Sequence, residues 1–491
     1  MITMILALLV IFAFGYAVLI LLGLSRAGVS LVERFALSYG LGTFGLAFVL
    51  LFISLAGVPL ERPWILWLSA APLPVLGIHI VRRLRRGRVR RQPDGSPRPS
   101  GAAKALIVFC LAFAVLMVAA TYLDTVHFAL RGDAAHFWGL KAKILYFKSF
   151  QSDDYITDSQ AHQHVNYPLL VPLLEAWSFR WMAWPRDVEV KLLFPTFFAA
   201  LLAGLYAALK KISSGTWAAI AVFLLAGFGP FIGSDNMHLG SATSGYADVP
   251  LAFYYAMAVF YLVRWSRRDG ERTHGLLGAI FLAACMFTKN EGSAISVLAV
   301  ILLSVIVITS RRFAPRESRW REWALIVTVF AVLALPWLMV RGMLPANDEN
   351  YPSRLTADNF VEGINRNFKP ALLKMAAAML PISIDGNKIW MSMPRLWDLF
   401  WPALLVICVV YARRCLSPQN RFVAALVILH LLLYLAILTL APGKMWNIEH
   451  LMIFVRYRLL SHIAPVALLL FVMLVDFRDA KARGEPGAQP G

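Results

Sequence analysis

The sequence predicts an all-α polytopic membrane protein with about thirteen transmembrane helices and extracytoplasmic amphipathic helices beside them. Of its 491 residues, 59% are hydrophobic and 15% are charged, and its mean hydropathy is +0.66. Such values are typical of membrane proteins and lie outside the range of soluble domains. Apolar runs of about 17 to 22 residues recur along the chain, each long enough as a helix to cross a hydrocarbon core of about 30 Å.

The order of these apolar runs gives a predicted topology. Basic residues concentrate at one end of the runs, which indicates the cytoplasmic side. With this side fixed, the N-terminus lies outside, the C-terminus lies inside and the segment 123–187 faces outward. The predicted spans fall near 3–23, 35–57, 63–81, 105–122, 188–209, 216–232, 249–265, 274–289, 293–310, 323–341, 397–413, 421–440 and 459–477.

Lys and Arg outnumber Asp and Glu by 47 to 28, which gives a formal net charge of +19. In a soluble protein this excess would indicate a nucleic-acid partner. Here the basic groups follow the ends of apolar runs, so we expect anionic membrane lipids as partners and no nucleic acid. These groups are Arg82 to Arg91, Lys210 and Lys211, Arg264 to Arg268, Arg311 to Arg321, and Arg413 and Arg414.

The chain divides into three predicted regions. Residues 1–104 form an N-terminal three-span addition with a basic cytoplasmic linker, residues 105–480 form the main transmembrane module, and residues 481–491 form a disordered cytoplasmic tail. The first apolar run lacks a preceding charged segment and a cleavage site, so it is predicted to be a retained span. The four cysteines have no metal-ligand spacing and indicate neither a zinc site nor a disulfide framework.

Two predicted outward segments are long enough to hold a site. In the segment 123–187 we expect an amphipathic helix from Asp133 to about Phe150, and a helix at the membrane interface from Pro168 to Trp184. In the segment 342–396 we expect a second amphipathic stretch near Phe368 to Met379.

Asp133 is the first candidate for catalysis. It begins the predicted amphipathic helix, where a carboxylate is also favoured simply by the helix dipole. Its position at the membrane interface, close to the candidate phosphate ligand Lys141, suits a general base next to a phosphate site.

Asp248 is the second candidate, at the outer end of a predicted span. An Asp before a helix that begins with Pro250 is also an ordinary N-cap, so both readings stay open. A metal site formed with Asp235 and His238 has little support, and no metal or other cofactor is indicated.

Two further segments bring cations to the same face. Lys289 and Glu291 join two short predicted spans, where Lys289 either holds an anionic headgroup or extends to the interface beside a turn. Arg456 and Arg458 precede the last span on the outer side, against the positive-inside bias. Such a pair indicates an anionic partner such as a phosphate, or anchoring to lipid headgroups.

The order of these elements resembles the GT-C superfamily of integral membrane glycosyltransferases, in particular bacterial relatives of the protein O-mannosyltransferases and the lipid A aminoarabinose transferases. The resemblance covers about Leu123 to Pro465. It rests on an outer Asp, a Tyr-Pro-Leu segment, a second outer Asp, a Thr-Lys hairpin and an Arg-Tyr before the last span. These are Asp133, Tyr167 to Leu169, Asp248, Thr288 and Lys289, and Arg456 and Tyr457.

The resemblance implies an inverting transfer of a sugar from a polyprenyl-phosphate donor to an extracytoplasmic acceptor, at the outer face of a bacterial inner membrane. It implies catalysis by Asp133, as general base, and Asp248. The donor phosphate would be bound by Lys141, Lys289, Arg456 and Arg458, and the remaining substrate contacts would come from His136, Trp138, Tyr167, Tyr246 and Glu291.

Other functions remain open at this point. An O-antigen ligase or polymerase would also use lipid-linked sugars, but would place its chemistry in one late loop and would not need Asp133. A transporter of lipid-linked glycans would carry charged residues at mid-membrane depth along a path, whereas most charges here lie at span ends. A scaffold subunit would tolerate loss of every outer carboxylate.

Overall fold

A computed structural model describes residues 1–24, 29–85, 100–148, 164–233, 240–267, 271–309, 317–344, 356–380, 382–385, 388–391, 396–418, 420–440 and 448–476. All secondary-structure elements described in the first half of the chain are helices, joined by turns. Its helices are α1 (Ile2–Leu21), α2 (Leu31–Leu55), α3 (Arg62–Ala70), α4 (Leu73–Arg85), α5 (Gly101–Thr125), α6 (Leu140–Phe147), α7 (Leu170–Met182), α8 (Leu193–Ile212), α9 (Gly215–Ala226) and α10 (Gly229–Ile232).

The second half is helical apart from one antiparallel hairpin, β1 (Ile382–Asp385) with β2 (Lys388–Met391), which the all-α prediction did not include. Its helices are α11 (Asp248–Ser266), α12 (Arg272–Thr288), α13 (Asn290–Thr309), α14 (Glu317–Met343), α15 (Ala357–Gly363), α16 (Lys369–Met379), α17 (Leu396–Val410), α18 (Ala412–Cys415), α19 (Arg421–Thr439) and α20 (Ile448–Val475).

Nine segments of the described chain are helical, long and apolar enough to cross a membrane. They coincide with nine of the thirteen predicted spans. The other four predicted spans are also helical, as α9, α11, α12 and α17, but three of them are shorter than 18 residues and α11 is not among the nine. The protein is therefore helical and membrane-embedded, while a count of thirteen spans stays a prediction.

Helix α11 lies at the centre of the bundle. All of its nineteen residues except Arg264 and Ser266 are buried. It packs against α8, α12 and α20, and it carries several large aromatic side chains into the core. A helix buried on all sides needs an apolar sequence without a polar face, and the run from Val249 to Val263 supplies it.

The predicted N-terminal addition contributes directly to this core. Helix α2 packs against α7 and α8. The Tyr39 hydroxyl donates to the Leu193 carbonyl oxygen at 2.8 Å, and the hydroxyls of Thr43 and Tyr254 lie 2.6 Å apart. The first two helices thus form one packed body with the central helices.

Helices α1 and α2 are in backbone contact at two glycines. A Cβ atom placed on Gly15 would lie 1.8 Å from the Ser38 carbonyl oxygen, and one on Gly42 would lie 2.0 Å from the Ile11 carbonyl oxygen. Small residues allow membrane helices to approach this closely, and the close approach supplies the van der Waals contact that holds them together.

Polar groups gather at both ends of α11. At one end the buried Glu33 carboxylate accepts a hydrogen bond from Tyr261 at 2.9 Å and forms ion pairs with Lys211 and Arg264. At the other end lies Asp248. At a rise of about 1.5 Å per residue, Asp248 and Arg264 are about 24 Å apart along the helix axis.

The segment 123–187, which was predicted to face outward, contains helices at both of the expected places. A π-helical turn (Ala134–Gly139) leads into α6, and Trp138, Lys141 and Leu145 are all buried. The predicted interfacial helix is α7, and eleven of its thirteen residues are buried inside the protein. The acidic stretch from Asp153 to Asp158 lies outside the described residues.

The second predicted amphipathic stretch is present as a π-helical turn (Ile364–Phe368) followed by α16. It packs against the adjoining ends of α19 and α20. Ala371 and Met375 face Tyr434 and Leu459 in a small apolar cluster. This segment therefore covers the part of the bundle that carries Arg458.

Replacing Gly42 by Ala should destabilise the protein by about 1 to 3 kcal/mol, because the new methyl group would overlap the α1 backbone. Thermal unfolding of the purified protein in detergent measures the effect. Gly77 is the matched control, since a Cβ on it meets nothing within 4 Å. Equal melting temperatures for Gly42→Ala and Gly77→Ala would contradict the close packing of α1 on α2.

Candidate functional site

The Asp248 side chain is fully buried and bound by three cationic or polar groups. Its Oδ1 atom lies 3.0 Å from Lys289 Nζ and 2.9 Å from His462 Nε2. The Arg458 guanidinium donates through Nη2 to Oδ2 at 3.2 Å and through Nε to Oδ1 at 3.4 Å. Both carboxylate oxygens are therefore occupied, as a buried charge requires.

The local backbone explains why Asp248 binds these distant groups. The N-cap of α11 is Ala247, and Asp248 is the first helical residue, without a side-chain capping bond. The N-cap interpretation of Asp248 is therefore wrong, because its carboxylate bonds across the bundle instead. Gly240 and Gly245 have φ values of +81° and +84°, and a Cβ on Gly240 would lie 2.8 Å from Arg458 Cγ.

Arg458 connects the two candidate carboxylates. Its Nη1 atom lies 3.1 Å from Asp133 Oδ2, and its guanidinium carbon lies 4.7 Å from the centre of the Tyr246 ring. The Asp133 backbone N–H donates to the Tyr246 hydroxyl at 3.1 Å. Asp133 makes no side-chain capping bond, and its side chain is 35% exposed, against 0% for Asp248. Asp133 is thus the carboxylate of this pair that solvent can reach.

Tyr246 contacts both Asp133 and Arg458 and is itself buried in the core. Burial is the largest influence on its hydroxyl and raises its pKa, and the nearby Asp133 carboxylate raises it further. The phenol therefore stays protonated at neutral pH.

Lys289 and Glu291 complete the cluster. Lys289 lies between α12 and α13 and is 3% exposed, and its Nζ atom is 2.9 Å from Glu291 Oε1. The alternative that Lys289 extends to the interface is therefore wrong, because two carboxylates hold its ammonium group inside the protein.

The charges of this cluster nearly balance. Asp133, Asp248 and Glu291 supply three carboxylates against the cations of Lys289 and Arg458. The anionic partner that the sequence predicted for Arg458 is thus present within the chain, as two carboxylates. A phosphate that enters here has to compete with Asp133 for the guanidinium.

Lys141 lies in a different environment from the other predicted phosphate ligands. Its side chain is fully buried, and Nζ donates to the backbone carbonyls of His164 and Tyr167 at 2.5 and 3.5 Å. Burial lowers the pKa of its ammonium group to about 7. No described contact joins Lys141 to Asp133, so its observed role is to hold the segment that carries Tyr167.

Three of the five predicted substrate-binding residues, Trp138, Tyr167 and Tyr246, pack their rings together beside Asp133. The buried Trp138 ring lies 5.5 Å from the Tyr246 ring and 6.2 Å from the half-buried Tyr167 ring. The Trp138 indole nitrogen has no hydrogen-bond partner among the described residues. His136 is exposed on the adjacent turn.

Three residues considered in the sequence analysis have side chains that the structure does not describe. Arg456 lies in α20, but its side chain is outside the described residues, as are Asp235 and His238. Within the described ranges no group of three or more His, Cys, Asp or Glu side chains is arranged to hold a metal ion.

His462 and Tyr434 are parts of the site that the sequence analysis did not assign. His462 follows Arg458 by four residues, so both side chains lie on one face of α20, and this spacing was the available signal. The Tyr434 hydroxyl lies 2.6 Å from His462 Nδ1. Nothing in the sequence pairs α19 with α20, so Tyr434 gave no signal.

No protein-family model and no curated protein matches this chain. The function is therefore argued from the chemistry of the site itself.

Replacing Asp248 by Asn should destabilise the protein by about 3 to 5 kcal/mol, because Lys289 and Arg458 would remain buried with less countercharge. Asp133→Asn should cost about 1 kcal/mol or less, because Asp133 is partly exposed and solvent screens its ion pair. Denaturant unfolding of both variants in the same detergent measures the difference. Equal losses of unfolding free energy in the two variants would show that burial of Asp248 is not the main source of its stabilising effect.

The low pKa of Lys141 gives a pH dependence of stability. The folded-state pKa of about 7 lies below the ordinary value of 10.5, so the unfolded chain binds more protons between these values. Stability should therefore rise with pH from about 7 towards 10, by up to about 1.4 kcal/mol per pH unit. The comparison is with Lys141→Met, in which this contribution to the change of unfolding free energy with pH should vanish. Identical slopes in both proteins would contradict a neutral buried lysine.

Proposed function

We propose that this protein is a membrane glycosyltransferase of the GT-C type, which transfers a sugar from a polyprenyl-phosphate donor to an acceptor outside the cytoplasm. The observation that carries the proposal is the contact between Asp133 and Arg458. A partly exposed carboxylate from one segment is held by a guanidinium that is itself fixed by a buried carboxylate. Such an arrangement presents one reactive side chain in a defined position, as a catalytic site requires.

Asp133 is the proposed general base. The acceptor hydroxyl oxygen attacks the anomeric carbon, its proton passes to Asp133, and the bond from the anomeric carbon to the phosphate oxygen breaks with its electrons on the phosphate. The configuration at the anomeric carbon inverts. Asp133 first orients the acceptor hydroxyl, and its carboxylate then accepts the proton as the new bond forms.

Asp248 is proposed to position the site rather than to react. Its oxygens already accept hydrogen bonds from Lys289, Arg458 and His462. This anchoring fixes Arg458, which is proposed to bind the departing phosphate when the donor displaces part of its contact with Asp133. Lys141 is assigned to the support of the Tyr167 segment, because its ammonium group is already bound by carbonyl oxygens.

The sidedness of the site is part of the proposal. Lys211 and Arg264 lie at the Glu33 end of α11, opposite the candidate site. Under the positive-inside rule the Glu33 end is cytoplasmic and the Asp248 end is extracytoplasmic. Thirteen spans would be consistent with this orientation, with anionic lipids at the basic end.

A transporter of lipid-linked glycans is the second candidate function. The observation in its favour is the buried His430, which lies in the middle of an apolar helix. Ionisable groups at that depth are common along transport paths. An O-antigen ligase or polymerase is less favoured, because it would leave the contact between Asp133 and Arg458 without a role.

Purified protein in nanodiscs, supplied with a panel of polyprenyl-phosphate sugars and candidate acceptors, tests the proposal. Turnover should fall by about 10²- to 10⁴-fold in Asp133→Asn, because general-base catalysis typically contributes that factor. Asp187→Asn is the matched control, since Asp187 is 30% exposed and pairs with Lys143 of the same segment at 2.7 Å.

Undiminished turnover in Asp133→Asn would remove Asp133 from the chemistry and favour the ligase. Movement of labelled lipid-linked glycan across the bilayer without glycosyl transfer would replace the enzyme by the transporter.

A further inference from the structure

His430 is a buried ionisable residue halfway along an apolar helix. It is 0% exposed, and it lies about 13 Å from either end of α19 at a rise of about 1.5 Å per residue. Neither of its ring nitrogens has a hydrogen-bond partner among the described residues. Most buried polar groups in proteins have a partner, either in the chain or in an ordered water molecule.

Two tyrosines surround this imidazole. The ring centre of His430 lies 5.3 Å from that of Tyr255 and 4.4 Å from that of Tyr434. The Tyr255 hydroxyl is also buried without a partner in the described part of the chain. A buried water molecule needs two to four polar partners. The two ring nitrogens of His430 and the Tyr255 hydroxyl are unpaired groups of that kind within the described residues.

A chain of short hydrogen bonds continues from this group to Asp248. Tyr434 and His462 are joined at 2.6 Å, and His462 and Asp248 at 2.9 Å. Because a carboxylate only accepts, His462 Nε2 carries a hydrogen. In the neutral ring Nδ1 is then the acceptor, so the Tyr434 hydroxyl donates to it. In both hydrogen bonds of this series, the donated hydrogen therefore points towards Asp248.

We propose that His430 is a proton-binding site inside the bundle, that ordered water joins it to Tyr255 and Tyr434, and that it exchanges protons with His462 beside Asp248. A proton on His430 passes through water to the Tyr434 oxygen while the Tyr434 hydroxyl proton passes to His462 Nδ1. The products are a neutral His430, an intact Tyr434 and a protonated His462. Only O–H and N–H bonds form and break, and the total charge is unchanged.

The charges around His462 accommodate this proton. Three carboxylates and two cations give the cluster a net charge of minus one when His462 is neutral, so a protonated His462 brings the sum to zero. The groups that face His462 are Asp248 from α11, Lys289 and Glu291 from the α12–α13 junction, His430 and Tyr434 from α19, and Arg458 from its own helix.

Proton exchange at this site would couple the protonation of His430 to the contacts that Arg458 makes. Protonated His462 gives Asp248 a third cationic partner, which weakens the hold of Asp248 on the Arg458 guanidinium. The guanidinium then becomes more available to Asp133 or to a bound anion. This inference concerns protonation alone and does not depend on the proposed glycosyl transfer.

Nuclear magnetic resonance of the full chain in nanodiscs, labelled with ¹⁵N at its ten histidines, tests the inference. His430→Phe and His462→Gln assign the two resonances, which are followed downward from pH 8 for as long as the protein stays folded. We expect His430 to titrate, and we expect His430→Phe to move the titration midpoint of His462 by about one pH unit, as interacting sites do. In Tyr434→Phe the two titrations should become independent.

His79→Phe is the matched control, because His79 lies in α4 beside Tyr16, away from the cluster, and should leave His462 unchanged. A His430 ring that stays neutral in one tautomer over the whole pH range would overturn the inference. So would a His462 midpoint that is the same with and without His430.

If His430→Phe does not fold, Tyr255→Phe replaces it as the test, since this variant keeps the ring and removes only the hydroxyl. We expect it to shift the ¹⁵N resonances of His430. Unchanged resonances would overturn the water link between Tyr255 and His430.

Discussion

The burial of the Asp248 carboxylate determines how the candidate site is built. An isolated charge in an apolar bundle is very unfavourable, so the fold has to bring donors to it. They come from the α12–α13 junction and from α20. The need to pair one buried charge thus joins helices that are far apart in the sequence and fixes the guanidinium that reaches Asp133.

The same network separates two carboxylates of the same type by their environment. Both Asp248 oxygens are occupied and its side chain is fully buried. Asp133 has Arg458 as its cationic partner within the described ranges, and its side chain is partly exposed. In the proposed mechanism Asp248 positions Arg458, and Asp133 acts as the general base. The rings of Trp138 and Tyr246 are buried beside Asp133 and pack against each other, with their centres 5.5 Å apart.

Much of the fold and part of the site could be predicted from the sequence. Long apolar runs locate the helices, and charges at their ends locate Asp133, Asp248, Lys289 and Arg458 on one face. The pairing of these residues could not be predicted, because helix neighbours are not encoded in any single span. For the same reason Lys141, close to Asp133 in the sequence, was assigned to the site although it binds backbone carbonyls. His430 and Tyr434 were missed because an isolated polar residue in an apolar helix gives no periodic signal.

Helix α11 is bound by ions at both of its ends, through Glu33 at one and Asp248 at the other. A shift along its axis, or a rotation about it, would separate opposite charges at two places at once, inside a medium that cannot solvate them. In the proposed mechanism, the movements that admit the lipid donor are therefore expected in the peripheral helices, which have exposed apolar faces, with α11 as the fixed axis. The reacting groups at the end of this axis would keep their positions while the lipid exchanges beside them.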